Sequence, residues 1–123
     1  MVNIDFKHVF EATRYSAAGI KVLIREQAAR LELVLFAGSI ILLILFGARF
    51  SDYLVVILLF CVLLSVEALN TAIENIVDHL SPEKSDFARD TKDLGSAAVF
   101  FMLSADGIFL TAVLLRTLGF VNW

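Results

Sequence analysis

One strongly apolar part of the chain carries three acids and an amide at helical spacing. These residues, at positions i, i+3, i+7 and i+11, are Glu67, Asn70, Glu74 and Asp78. A helix projects that spacing within a narrow arc of one face. At about 1.5 Å per residue, Glu67 lies about 21 Å from Tyr53, where the apolar run begins, and therefore inside a bilayer leaflet. Placing an ionised carboxylate in the hydrocarbon of a bilayer costs at least about 2.5–3.5 kcal/mol. This polar face therefore indicates a reaction or ion pathway, and the structural alternative is a polar seam that holds helices together.

Two further groups of charged residues are expected at the same membrane depth. Glu26, Arg30 and Glu32 precede the first apolar run, and residues 92–96, Lys-Asp-Leu-Gly-Ser, open the last one. Gly95 in that segment allows another backbone to approach. Closely spaced carboxylates repel one another, so a divalent cation or a basic group is expected among them. Together the groups supply oxygen ligands for Mg²⁺, a cation for phosphate and a carboxylate that accepts a proton, which suggests a phosphotransferase.

Charge, cysteine content and missing motifs exclude other classes of protein. Ten Lys and Arg against thirteen Asp and Glu give a net charge of −3, which disfavours a nucleic-acid partner. The single cysteine, Cys61, cannot build a disulfide framework or a cysteine zinc cluster within one chain, and we interpret it as a small residue buried in the membrane. The sequence contains no Gly-x-x-x-x-Gly-Lys-Ser/Thr and no Gly-x-Gly-x-x-Gly segment, which excludes the soluble nucleotide-binding folds.

The elements that position the charged groups are predicted to be membrane helices. Hydrophobic residues make up 59% of the chain and the mean hydropathy is +0.85, too high for an ordinary soluble domain of this size. A loop is expected around Pro82, where capping residues flank the helix breaker. We predict one all-α membrane domain over residues 1–123, with spans at about 30–48, 53–79 and 87–117.

The N-terminal region has an amphipathic pattern instead. Apolar and small residues recur at three- and four-residue spacing at Phe6, Phe10, Thr13, Ala17, Ile20 and Ile24. Charged residues occupy an adjacent face at Lys7, Glu11, Arg14, Lys21 and Arg25. This pattern predicts a helix on the membrane surface over about residues 4–28, with an ordinary helix packed on protein as the alternative.

The distribution of basic residues predicts the orientation in the membrane. Residues 1–30 hold five Lys and Arg and residues 79–93 hold three, whereas the 49–52 turn and the C-terminal end hold one each. By the positive-inside rule, the N-terminus and the second loop are cytoplasmic and the C-terminus lies outside. Trp123 at the C-terminal end suits the membrane interface.

Three segments resemble the small bacterial integral-membrane diacylglycerol kinases. They are Glu-Ala-Leu-Asn-Thr-Ala-Ile-Glu at 67–74, Thr-Lys-Asp-Leu-Gly-Ser-Ala-Ala-Val at 91–99 and Arg-Glu-Gln-Ala-Ala-Arg-Leu-Glu at 25–32. The similarity extends from about Tyr15 to Val99. It implies a homotrimer in the bacterial inner membrane, each subunit with a surface helix and three transmembrane helices. It also implies transfer of the γ-phosphoryl group of Mg-ATP to the primary hydroxyl of diacylglycerol, which yields phosphatidic acid.

The resemblance also implies a role for each matching residue. Glu67 is the general base beside the lipid hydroxyl, supported by Asn70, and Lys92 belongs with them among the catalytic residues. Glu26 and Glu74 hold the Mg²⁺ of ATP. The other expected ATP contacts are Tyr15, Glu83, Lys84, Ser85 and Asp93, next to Lys92, and the expected lipid contacts are Ala28, Arg30, Glu32, Glu67 and Ser96. Sites in this family are shared between neighbouring subunits.

Two features of the sequence depart from the resemblance. Ala17-Ala18 stands where many relatives have an aromatic and a basic residue, and Asp106 interrupts the third span without a counterpart in the motifs. We interpret Asp106 as structural, protonated and hydrogen-bonded in the trimer core or altering the packing there.

Two alternatives to the diacylglycerol kinase interpretation remain open. Undecaprenol kinases have a related fold and a different lipid acceptor, although Gly-Ser-Ala-Ala at 95–98 favours the diacylglycerol branch. A small oligomeric cation channel or structural membrane protein would use the same acids to line a pore. Supplying Mg-ATP and each lipid alcohol to the purified protein separates these functions.

Overall fold

A computed structural model describes residues 6–122, with only the backbone described for Phe6. Positions 4 and 5 of the expected surface helix and the expected interfacial Trp123 lie outside the described residues. The described chain forms four helices, α1 (Phe6–Leu23), α2 (Gln27–Leu45), α3 (Phe50–Leu80) and α4 (Asp86–Thr117).

Helices α2, α3 and α4 are long and apolar enough to cross a membrane. They contain 19, 31 and 32 residues. At about 1.5 Å per residue, α3 and α4 exceed a hydrocarbon core of about 30 Å, so both extend beyond it. The prediction of an all-α chain with an N-terminal helix and three candidate spans is confirmed, and the chain is an integral membrane protein by its apolar helices.

Local sequence explains where the helices begin and end. Ser85 caps α4, since its hydroxyl accepts a hydrogen bond from the backbone N of Ala88 at 3.1 Å. Pro82 lies in the preceding loop, where a proline interrupts no helix. Residues 46–49 connect α2 to α3, and Gly47 in this connection has a φ of +64°, a left-handed conformation that favours glycine.

Helix α3 is the central helix of the chain. It packs most extensively against α4, less against α2 and only slightly against α1. The buried residues Leu43, Val56 and Val113 bring α2, α3 and α4 together in one apolar cluster. Large apolar side chains remain exposed along all three helices, as expected for surfaces that contact lipid or other subunits.

Helix α1 lies apart from this core. The apolar side chains of Phe10 and Ile20 are 72% and 57% exposed, while Leu23 at its end is buried. The sequence places this helix over about 4–28, whereas the structure ends it at Leu23 and inserts a short turn before α2. The exposed apolar side chains agree better with a surface helix than with one packed on its own chain.

A buried ion pair joins α3 and α4 at the end of the molecule near the α2–α3 connection. Nη2 of Arg116 donates to Oδ2 of Asp52 at 2.5 Å, and the two side chains are 6% and 3% exposed. Oδ2 also accepts the backbone N–H of Arg49 at 2.7 Å. The acid lies in the first turn of α3 and the base in the last turn of α4, so both complement the helix dipoles.

Candidate functional site

Two of the four residues on the polar face of α3 are buried. Glu67 and Asn70 are 4% and 8% exposed. Nδ2 of Asn70 donates to Oε1 of Glu74 at 3.1 Å, one helical turn further along α3. Among the described residues, Asn70 thus bonds to Glu74, an expected metal ligand, and not to Glu67, the base that the resemblance implies it supports.

Gly95 on α4 faces the amide of Asn70. A Cβ atom at Gly95 would lie 2.0 Å from Oδ1 and 3.1 Å from Cγ of Asn70. Oδ1 is buried and accepts no hydrogen bond from the described part of the chain. The sequence predicts a close approach at Gly95 by another backbone, but a side-chain amide occupies that space instead.

Glu67 interacts electrostatically with three other acids. They are Glu74, Glu26 and Glu32. Glu26 is the exposed residue immediately before α2. Within residues 6–122, no three acidic, histidine or cysteine side chains are close enough to hold a metal ion by themselves. Two carboxylates still fit Mg²⁺, which commonly takes one or two from the protein and completes its shell with phosphates and water.

The loop between α3 and α4 encloses a second polar region. A cavity of about 420 Å³ lies between the end of α3 and the start of α4. Its polar lining residues are Asp78, Ser81, Glu83, Lys84, Ser85, Asp86, Arg89 and Lys92. The lining holds three cations, which can bind a polyanion, and three acids, with which such a ligand would compete.

Lys92 is held across the α3–α4 hairpin by an ion pair with Asp78. The sequence places Asp78 on the polar face of α3 but does not indicate Lys92 as its partner. The pairing depends on how α3 and α4 are aligned across the connection of residues 81–85. Ser85 is an expected nucleotide contact, but its hydroxyl also caps α4.

Other expected contacts lie apart from the loop cavity. Asp93 is exposed on α4 beside Lys92. Tyr15 is 65% exposed on α1, with the guanidinium of Arg14 5.7 Å from its ring centroid. The described chain therefore brings Glu83, Lys84, Ser85 and Lys92 to one cavity, but it leaves Tyr15 on a separate surface.

The expected lipid contacts divide between a surface and a groove. Ala28 and Arg30 are exposed at the start of α2, and Ser96 is exposed on α4. Glu32 is only 3% exposed, and its Oε2 has no hydrogen-bond partner among the described residues. It lines a largely apolar cavity of about 650 Å³ between α2, α3 and α4.

Asp106 lines the same cavity as Glu32. The two carboxyl groups interact electrostatically, and Glu67 also acts on Glu32. The sequence indicates a structural role for Asp106, but its local pattern does not show that it shares a cavity with Glu32 of α2. Its position in the cavity adds a second acid to the membrane-embedded region beside the site.

Comparisons with known proteins show which family the chain belongs to. The family model of the prokaryotic diacylglycerol kinases matches residues 14–114. A diacylglycerol kinase from Sinorhizobium sp is 43% identical over 116 residues, which cover 94% of this chain and 84% of the relative. The diacylglycerol kinase of Pseudomonas aeruginosa is 34% identical, with 89% of each chain covered. That of Haemophilus influenzae is 31% identical over 87% of this chain and 92% of its own. The chain therefore belongs to the prokaryotic diacylglycerol kinase family.

Proposed function

We propose that this chain transfers the γ-phosphoryl group of Mg-ATP to the primary hydroxyl of diacylglycerol, which yields phosphatidic acid and ADP. Relatives named diacylglycerol kinase support this choice of acceptor. The observation that carries the proposal is the position of Glu67, a buried carboxyl group of α3 with Glu26 and Glu74 in electrostatic reach. A proton acceptor within the membrane thus lies beside acids suited to a metal–nucleotide complex.

Glu67 is the proposed general base. Its carboxylate takes the proton of the lipid hydroxyl as the hydroxyl oxygen forms a bond to the γ-phosphorus. The bond from the γ-phosphorus to the β–γ bridging oxygen breaks, and its electron pair leaves with ADP. Asn70 supports this step by fixing the neighbouring Glu74, to which it donates a hydrogen bond at 3.1 Å.

Glu26 and Glu74 are the proposed ligands of Mg²⁺. When bound, Mg²⁺ supplies positive charge that offsets the negative charge of the ATP phosphates. Lys92 adds a second cation from the loop cavity, where Asp78 orients its ammonium group. Lys84 and Arg89 line the same cavity and give the polyphosphate further hydrogen-bond donors. We assign Tyr15, Glu83, Ser85 and Asp93 to the nucleotide with them.

The lipid approaches from the membrane side of Glu67. Ala28, Arg30 and Ser96 border the proposed headgroup position, and Glu32 faces the apolar groove next to it. The distribution of basic residues favours a position of the loop cavity on the cytoplasmic side of the bacterial inner membrane, where ATP is available. The same distribution favours a cytoplasmic N-terminus. A homotrimer would supply the surfaces that one chain leaves open.

The decisive experiment compares lipid acceptors directly. Full-length protein in phosphatidylcholine vesicles receives radiolabelled Mg-ATP with either diacylglycerol or undecaprenol, with Glu67→Gln as the inactive control. Glu11→Gln, an acid on α1 outside the site, is the matched substitution that should keep activity. Labelled phosphatidic acid supports the proposal, and labelled undecaprenyl phosphate alone replaces it with the related kinase. Ion flux through the vesicles without any labelled lipid would favour the channel alternative.

A further inference from the structure

We propose that Gly95 is a positioning residue, because the absence of its Cβ lets the Asn70 amide lie between α4 and Glu74 and orient that carboxylate. The inference rests on the proposed role of Glu74 in binding Mg-ATP. Gly95 itself contacts neither substrate nor metal in this account. It acts through Asn70.

The space at Gly95 differs from that at every other glycine in the chain. A Cβ at Gly19, Gly38, Gly47, Gly107 or Gly119 would meet no heavy atom within 4 Å. At Gly95 it would overlap Oδ1 of Asn70, at 2.0 Å. Any residue other than glycine must therefore displace the Asn70 side chain or separate α4 from α3.

The two ends of the Asn70 amide have different neighbours. Nδ2 donates to Oε1 of Glu74 at 3.1 Å, while Oδ1 faces the glycine and accepts no conventional hydrogen bond within the described chain. The reversed amide would put its carbonyl oxygen against the carboxylate, which is unfavourable because both are acceptors. A Cα–H group of glycine is a weak donor that tolerates an oxygen at a helix–helix interface.

This arrangement fixes one oxygen of Glu74 by a hydrogen bond from the α3–α4 interface. The second oxygen is then oriented for a ligand outside the interface. A Cβ at Gly95 would move the amide, weaken this hydrogen bond and leave Glu74 in several orientations. The first effect should be on the affinity for Mg-ATP, since the proposed function assigns Glu74 to Mg-ATP and not to the lipid.

The test is a double-mutant cycle with Gly95→Ala and Asn70→Ala, measured as steady-state kinetics of the full chain in vesicles. Gly95→Ala should raise KM for Mg-ATP at least about tenfold, the factor expected for losing a hydrogen bond to a charged group. KM for diacylglycerol should not change. In the Asn70→Ala background, Gly95→Ala should add nothing, because the remaining Cβ of residue 70 would be at an ordinary contact distance of 3.8 Å.

Gly19→Ala on α1, where a Cβ meets nothing within 4 Å, is the matched control and should leave KM unchanged. Equal KM for Mg-ATP in wild type and Gly95→Ala would overturn the inference. So would a Gly95→Ala effect of the same size with and without Asn70. If Gly95→Ala alone does not fold, recovery of folded protein in the double variant supports the clash, and no recovery overturns it.

Equilibrium binding of Mg-ATP separates this inference from the proposed function. A wild type that binds Mg-ATP but phosphorylates no diacylglycerol would overturn the proposed reaction alone. Equal Mg-ATP affinity in wild type and Gly95→Ala would overturn the positioning role alone.

Discussion

Glu67 and Glu74 lie two helical turns apart on one face of α3 but have different surroundings. Glu67 is almost fully buried, whereas Glu74 is half-buried and accepts a hydrogen bond from Asn70. A base for a lipid hydroxyl must lie below the water line, while a metal ligand must meet phosphates that arrive from water. The two acids therefore suit separate tasks in the proposed reaction.

Replacing each acid by its amide should separate these tasks. Glu67→Gln should abolish phosphoryl transfer and leave Mg-ATP affinity largely intact, because the amide cannot accept the proton of the lipid hydroxyl. Glu74→Gln should instead weaken Mg-ATP binding. Calorimetric titration with Mg-ATP and turnover assays on both variants test this division, and equal nucleotide affinity in the two variants would contradict it.

Lys92 should contribute charge and alignment to the nucleotide. Lys92→Met removes the ammonium that Asp78 orients in the loop cavity, so turnover should fall by at least about a hundredfold, the loss typical of one electrostatic contact in a transition state. Lys7→Met on α1 is the matched control. Unimpaired turnover in Lys92→Met would remove this residue from the proposed site.

At the residue scale, helical spacing allows the shared face of Glu67, Asn70 and Glu74 to be predicted, because that spacing is a local property. The ion pair of Lys92 and the contact of Asn70 with Gly95 depend on how α3 and α4 are aligned. The local sequence pattern does not show how two helices are aligned. These two contacts could therefore be identified only from the structure.

At the element scale, two kinds of contact align α3 with α4. The Asn70–Gly95 contact lies near the loop end of the hairpin, and the buried Asp52–Arg116 ion pair lies at the opposite end. Apolar length and Pro82 allow the spans and the loop to be predicted. The ion pair could not be predicted, since 64 residues separate its members and neither has a distinctive neighbouring pattern.

Removing one member of this ion pair should destabilise the chain. Arg116→Met leaves the Asp52 carboxylate buried without that partner, which should cost about 3 kcal/mol, the lower part of the range for broken buried pairs. Asp52→Asn together with Arg116→Met should recover much of this loss, because no buried carboxylate remains. Reversible unfolding of detergent-solubilised protein measures the change in unfolding free energy. If the loss in the double variant equals the sum of the losses in the two single variants, the expectation is contradicted.

An exposed ion pair provides the comparison for Arg116. Arg89 and Asp86 are 3.1 Å apart with side chains 65% and 88% exposed. Surface pairs of this kind contribute about 0–1 kcal/mol. Arg89→Met should therefore change the unfolding free energy much less than Arg116→Met.

At the scale of the whole molecule, the groove between α2 and α4 contains two carboxyl groups, those of Glu32 and Asp106. Asp106→Asn should raise stability by about 1 kcal/mol, because an amide cannot ionise and so removes the electrostatic repulsion between this side chain and Glu32. Thermal unfolding of the variant measures this, with Asp90→Asn on the exposed part of α4 as control. A lower melting temperature for Asp106→Asn would show that the carboxyl itself is needed.

The proposed homotrimer would cover surfaces that a single chain leaves exposed. One chain exposes large apolar side chains on all its spans and assembles no three-ligand metal group within residues 6–122. Native mass spectrometry from mild detergent should detect assemblies of three 13.6 kDa chains, and activity should follow that species. An active monomer or dimer would contradict the proposed homotrimer. The apolar composition of the chain could not predict the number of subunits, because either lipid or another subunit can cover an apolar surface.

The connection between α2 and α3 has a consequence for how the chain is made. Four residues, 46–49, join the two helices, with Gly47 in a left-handed conformation. So short a connection cannot form a translocated domain of its own. Once α2 has entered the bilayer, α3 must return through it directly, so the translocon should release the two helices laterally into lipid as one unit during synthesis.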